Sequence, residues 1–105
     1  MTEAQATAVA TAVLDAMQAG DPEAALSRLS AALREQKRQG IMEGLGNPGL
    51  GFEWSNLRSE GVVGERRLLQ ADIRWKEGGE QRQGTIDLEV IGGAGGPEVS
   101  VLESR

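Results

Sequence analysis

The sequence predicts an α+β domain in which two N-terminal helices cover one face of a bent antiparallel sheet of about four strands. Three observations carry this. From Leu69 to Trp75 apolar and polar residues alternate strictly, and after a Gly-rich turn Ile86, Leu88 and Val90 alternate with Thr85, Asp87 and Glu89. Period-two alternation on both sides of a turn is the pattern of a hairpin with one wet and one dry face. The first 40 residues instead place apolar side chains at helical spacing, and helices segregated from strands mean helices stacked on one sheet face.

The first helix begins at Thr2. Thr2-Glu3-Ala4-Gln5 fits a capping box, in which the Thr hydroxyl accepts from the backbone three residues on and Gln5 reaches back. Ala6, Val9, Ala10, Val13, Leu14 and Met17 then form one stripe, small toward the start and larger toward the end, so the C-terminal half is expected to sit deepest. Gly20 is placed to end this helix in a left-handed conformation. Asp21 caps a second helix with Pro22 in its first turn. Its expected buried stripe is Ala25, Leu26, Leu29, Ala32, Leu33 and Gln36, and its expected end is Gly40. Arg34, Lys37 and Arg38 would then crowd its last turns, where cations oppose the negative end of the helix dipole.

Ile41 to Gly51, with four Gly and one Pro, reads as a loop, with Met42, Leu45 and Leu50 tucked under the sheet edge. It has no Lys-Ser/Thr pair and no strand before it, so it is not a phosphate-binding loop. A first strand over Phe52–Ser59 puts Phe52, Trp54 and Asn56 on one face and Glu53, Ser55 and Leu57 on the other. The second strand runs from about Glu65 to Lys76 and the third from about Arg82 to Ile91. One of two registers open to this hairpin sets Arg74 opposite Asp87. Gly92 to Pro97 is a flexible turn, and Val99, Val101 and Leu102 belong to a short last strand paired to the third.

With 105 residues the chain is expected to form a single domain, 1–105. There is no Cys, no His and no Tyr. A disulfide frame, a thiol nucleophile and a Cys zinc site are therefore excluded. The commonest general base near neutral pH is missing too. The net charge of −5 and pI near 4.7 argue against nucleic acid or an anionic membrane as partner. No apolar run reaches the ~18 residues of a membrane span, and the start has neither the basic nor the apolar region of a signal peptide. The chain is expected to be cytoplasmic and to need no cofactor.

The order of elements, with the segments A-M-Q-A-G-D-P-E-A-A-L (Ala16 to Leu26), I-R-W-K-E-G-G-E, G-T-I-D-L-E-V and P-E-V-S-V-L-E, resembles the NTF2-like superfamily, the cystatin-like cone of nuclear transport factor 2 and the ketosteroid isomerases. It looks closest to small bacterial members of unknown function. The resemblance implies a strongly bent sheet wrapped round the helices, often a pocket at the open end, and frequent homodimers through the sheet. The enzymatic members use a Tyr with acidic groups or a His with Asp. Neither Tyr nor His is present, so no catalytic residue carries over.

Trp54 and Trp75 are the sharpest candidates for a site. They either fill the small core or line the mouth of a pocket with Phe52 and Met17, gripping an apolar ligand by area and stacking. Asp72, Asp87 and Glu89 fall on the polar side of the alternation, where solvent and Arg74 account for them. Asp15 lies off the helix stripe. The expectation is a non-catalytic domain that binds a small apolar ligand or a protein partner, as a homodimer. The alternatives are an isomerase- or hydrolase-type enzyme with a carboxylate in the cone, and a structural association module with a filled core. An inward, desolvated Asp or Glu would favour the enzyme.

Overall fold

The computed structural model describes residues 1–105 and has three helices and four strands: α1 (Glu3–Gln18), α2 (Pro22–Ser27), α3 (Ala31–Leu45), β1 (Glu53–Val63), β2 (Arg66–Glu77), β3 (Glu80–Gly93) and β4 (Gly96–Ser104). The strands form one antiparallel meander in the order β1-β2-β3-β4. The helices pack on one face of this sheet, so the fold class is α+β.

α1 starts as its sequence dictates. Thr2 Oγ1 accepts from Gln5 N at 3.1 Å, and Thr2 N donates to Gln5 Oε1 at 2.8 Å. It ends at a left-handed Gly20 (φ 70°), with Asp21 N donating to Ala16 O and Gly20 N to Met17 O. That crossed pair is the Schellman arrangement, which satisfies carbonyls the helix leaves open. Ala6, Val9, Ala10, Val13 and Leu14 are buried. Val13 and Leu14 are completely buried, as expected of the C-terminal half, but Met17 at the end of the stripe is only half-buried.

The second helix departs from expectation. It is two helices, broken at Arg28-Leu29-Ser30. Ser30 caps α3, its Oγ accepting from Leu33 N at 3.3 Å. The break exists because the chain docks on the sheet edge there. Ser30 N donates to Val99 O at 2.7 Å and Val99 N to Arg28 O at 2.9 Å, a short parallel bridge that brings fully buried Leu29 against Val99. Past the break the helical phase changes, so Leu33 stays buried while Ala32 and Gln36 are exposed.

α3 does not stop at Gly40 but runs on to Leu45, shortening the expected loop to about Gly46–Phe52. A glycine inside a helix costs only about 1 kcal/mol. Half-buried Ile41 and Leu45 lie on the same helix, whereas Met42 is exposed rather than tucked under the sheet. None of Arg34, Lys37 and Arg38 therefore lies in a last turn. Arg34 serves α2 instead, its Nε donating to Leu26 O and its Nη2 to Leu29 O, each at 3.0 Å.

β2 and β3 behave as the alternation requires. Leu69, Ala71, Ile73, Ile86, Leu88 and Val90 are all buried on the helix side. They are joined by a two-residue Gly78-Gly79 turn with φ of 59° and 83°. Two consecutive positive φ values make the turn whose twist suits a hairpin, and glycine meets both without strain. The register sets Arg74 opposite Gln83 and Asp87 opposite Gln70, not Arg74 opposite Asp87. Arg74 pairs instead with Glu53 at 2.7 Å.

The edge strands carry irregularities that simple alternation misses. In β1, Asn56 and Leu57 together oppose Ala71, and Glu60 is a second extra residue. Asn56 adopts a left-handed φ of 56°, a conformation Asn tolerates better than most residues. The faces of the strand switch there. Leu57 packs on the core, and the Asn56 amide reaches Asp72 beside the polar residues of β2, the reverse of the expected placement. In β4 Ser100 is the extra residue, which lets both Val99 and Leu102 face inward. Bulges bend and twist the strands that hold them, and these three lie on the sheet's two outer strands.

Candidate functional site

The buried core fills most of the space between helices and sheet, from Ala6 at one end to Ile73 and Leu102 at the other. It does not fill all of it. Toward the end of α1 a cavity of about 250 Å³ remains. Its floor is Ile73, Ile86, Leu102 and Phe52, all buried, and its flanks are half-buried Met17, Leu50 and Trp75. Lys37, Glu103 and Ser104 bring the polar groups, with Lys37 Nζ 3.5 Å from Glu103 Oε1.

Each wall has a local cause. Met17 arrives where α1 ends. Leu50 is held by the short loop before β1, in which Gly49 N donates to Asn47 Oδ1, and its own carbonyl accepts from Lys76 N at 2.7 Å. Trp75 stands near the end of β2 beside Gly84, whose missing side chain leaves room both for the indole and for the Arg105 carbonyl next to it. That carbonyl accepts from Thr85 N, closing the end of the sheet beside the cavity.

Three of the four residues singled out in the sequence, Met17, Phe52 and Trp75, line this one cavity. Trp54 does not. Its Nε1 donates to Asp15 Oδ1 at 3.0 Å, and its backbone N donates to Gln18 Oε1 at 3.1 Å. Trp54 thereby ties β1 to the last turn of α1. Its partner Asp15 is exposed, as its position off the stripe suggested. The sequence puts Leu50 under the sheet edge and Lys37 in the last turns of the second helix, so neither stands out there as a wall of the site; only the packing of α3 beside β4 brings Lys37 to it.

No polar or charged side chain is buried, and no three acidic side chains gather in metal-ligating geometry. The one carboxylate at the cavity, Glu103, keeps 58% of its side-chain surface in solvent. A general acid or base is usually tuned by an apolar setting, which Glu103 lacks.

The opposite face of the sheet is polar and its charges are paired within the chain. Arg58 bonds Asp72 at 3.0 Å and Gln70, Gln70 bonds Asp87 at 2.8 Å, and Arg105 bonds Asp87 at 2.6 Å. A larger hollow of about 490 Å³, lined among others by Trp54, Asp72, Arg74 and Thr85, opens on this face, and its lining residues are mostly polar. Asp72 is held below its ordinary pKa. Hydrogen bonds from Asn56, first, and from Arg58 favour its charged form and lower its pKa. Such a carboxylate contributes stability above its unfolded pKa and loses it as pH falls through the lower, folded value. An NMR titration of the side-chain carboxyls is expected to place Asp72 below the ordinary aspartate midpoint. Asn56→Gly keeps the left-handed backbone but removes the amide, and should move that midpoint back up.

No family model matches this sequence, and no curated protein sequence matches it. Solved structures do resemble it in shape. A candidate dehydratase of the NTF2-like family from Streptomyces avermitilis aligns with a TM-score of 0.74 at 13% identity, over 95% of this chain and 92% of the other. A candidate aromatic ring hydroxylase from Novosphingobium aromaticivorans aligns at 0.67 and 12%, over 96% and 91%. An NTF2-like protein of unknown function from Shewanella oneidensis aligns at 0.66 and 11%, over 99% and 98%. At such identities the likeness is one of fold alone, and the fold of this chain is NTF2-like.

Proposed function

We propose that this protein is a non-catalytic NTF2-like domain that holds a small apolar ligand in the cavity beside Trp75. The observation that carries the reading is the composition of that cavity: seven of its ten lining residues are apolar, and its one carboxylate is solvated and faces a lysine. A volume of about 250 Å³ is below the ~300–1,000 Å³ of sites for drug-sized ligands, so the fitting ligand has one ring or a short chain. The acid–base chemistry of an isomerase or hydrolase would need a desolvated carboxylate where the side chains are Ile73, Ile86 and Leu102.

Toluene is a suitable first probe. A seven-atom apolar ligand against these walls, which leave one side open to solvent, binds with about −4 kcal/mol, a Kd of about 1 mM. Toluene should shift the NMR signals of the Trp75 indole and the Ile73, Ile86 and Leu102 methyls, leaving the Trp54 indole in place. Met17→Trp should fill the cavity from its half-buried flank and abolish the shifts without disturbing the floor. Saturating toluene with no shift at these groups would overturn the reading.

A further inference from the structure

We infer that the cavity's ligand carries one anionic group, a carboxylate on a small flat apolar body, and that Lys37 receives it by exchanging partners with Glu103. The inference rests on the ligand-binding reading above and adds to it the charge and orientation of the ligand.

The apolar floor of the cavity offers contact area but nothing that fixes direction. Phe52, Ile73, Ile86 and Leu102 have no polar side-chain atom, and the thioether of Met17 is a weak acceptor. Apart from the neutral indole N–H of Trp75, the side-chain donors at the lining come from one side, where α3 passes the end of β4: Lys37, with Ser104 close by along the strand. Lys37 is the only cation lining the cavity. Its side chain is 28% exposed, so it is more withdrawn from water than Glu103 at 58%.

The pair these two form is loose. At 3.5 Å the Lys37–Glu103 separation is long for a charge-assisted hydrogen bond, which is usually about 2.7–2.9 Å. An ammonium has three donors, and this one makes a single side-chain hydrogen bond. Glu103 sits on an edge strand with most of its surface in solvent, so it can turn to water at little cost. An exposed pair of this kind contributes little. A ligand carboxylate held against the apolar walls meets Lys37 where water is partly excluded, and a hydrogen bond to a charged group is stronger there. The exchange therefore favours the ligand.

The same geometry disfavours the alternatives. A cationic ligand would bring its charge against Lys37, and a neutral one would leave the Lys37–Glu103 pair as it is and gain only apolar contact. The other nearby basic residues are otherwise placed. Arg34 is committed to the carbonyls of Leu26 and Leu29, and Arg38, one residue on, is exposed and does not line the cavity.

The test compares three probes of one shape: phenylacetate, 2-phenylethanol and phenethylammonium. Each is titrated into the full chain with the Trp75 indole signal as readout. Phenylacetate is expected to bind about tenfold tighter than 2-phenylethanol, and phenethylammonium weakest, with the contrast shrinking as salt rises. Lys37→Met should remove the preference for the acid, so that acid and alcohol bind about equally. Glu103→Gln should widen the preference for the acid over the alcohol severalfold. Arg38→Gln, which removes a neighbouring charge outside the cavity, should change neither.

Equal binding of acid and alcohol, or an acid preference that survives Lys37→Met, overturns this inference and leaves the apolar site standing. Failure of all three probes to move Trp75 overturns both. Lys37→Met loses packing along the lysine stem, so retained binding of 2-phenylethanol at the Trp75 signal serves as the check that the cavity is intact.

Discussion

Leu29→Ala should lower the stability of this protein by about 3 kcal/mol, within the 2–5 kcal/mol range for a leucine truncated in a packed core. For a domain of this size that is a fall in Tm on the order of 15 °C. Leu29 is fully buried in the joint between α2 and α3, in the cluster that also holds Leu26, Leu33 and Val99. The backbone bonds that dock the joint, Ser30 N to Val99 O and Val99 N to Arg28 O, do not involve its side chain. The loss therefore measures packing and the cavity left behind, with the edge bridge still in place. Gln36→Ala, at a position that unbroken helical spacing puts on the same stripe, is exposed and should stay within 0.5 kcal/mol. Urea or thermal unfolding of the two variants separates the broken helix from a continuous one: comparable losses at both positions would mean that α2 and α3 share a single buried face.

The contrast between these two residues shows what the sequence discloses about this fold. The faces of the β2–β3 hairpin were legible, because alternation has a period of two and Leu69, Ala71, Ile73, Ile86, Leu88 and Val90 share one face in either register; the register itself was not, and Arg74 lies opposite Gln83 rather than Asp87. The breaks in pattern were not legible. Ser30 is a good N-cap, but within a run of helix-forming residues a Ser is equally compatible with a helix that continues. What decides is the docking of residues 28–30 on Val99, a contact some 70 residues away in sequence. Gly40 misled for the same reason: its local preference is small beside the packing of Ile41 on the core. The bulges at Asn56, Glu60 and Ser100 depend on how the strands must curve round the helices, which no single strand encodes.

The candidate site was half legible on the same grounds. Phe52 and Trp75 fall on the apolar side of their strands, and Met17 on that of α1, so alternation and helical spacing bring them to one end of the cone. Trp54 has the right face but the wrong neighbour: it meets α1 at Asp15 and Gln18, and its indole N–H finds a carboxylate rather than a cavity. A tryptophan on an apolar face carries both an apolar body and a donor, and the sequence alone did not show which would govern.

Arg34→Ala should be the most damaging change of a charged residue, costing about 2 kcal/mol. α2 is only six residues long, and the carbonyls at its end have few partners of their own. Arg34, reaching back from α3, donates to Leu26 O and Leu29 O at 3.0 Å each and so ties the end of one helix to the start of the next. A charged donor to a half-buried carbonyl is worth about 1.5–3 kcal/mol. Leu26 O also accepts from Leu29 N, so the cost concentrates on Leu29 O, and the sum falls short of two full bonds. Arg34→Lys keeps the charge but replaces a planar fork with a point donor, and should recover about half of the loss. The reading from sequence, in which Arg34, Lys37 and Arg38 oppose a helix dipole, makes a different prediction: each would contribute about 0.3–1 kcal/mol, and added salt would screen it. The hydrogen-bonded fork instead predicts a large loss at Arg34, one within 0.5 kcal/mol for Arg38→Ala, and little change in that contrast between low and high salt, because the acceptors are neutral carbonyls. Equal, salt-sensitive losses at Arg34 and Arg38 in chemical denaturation would restore the dipole account.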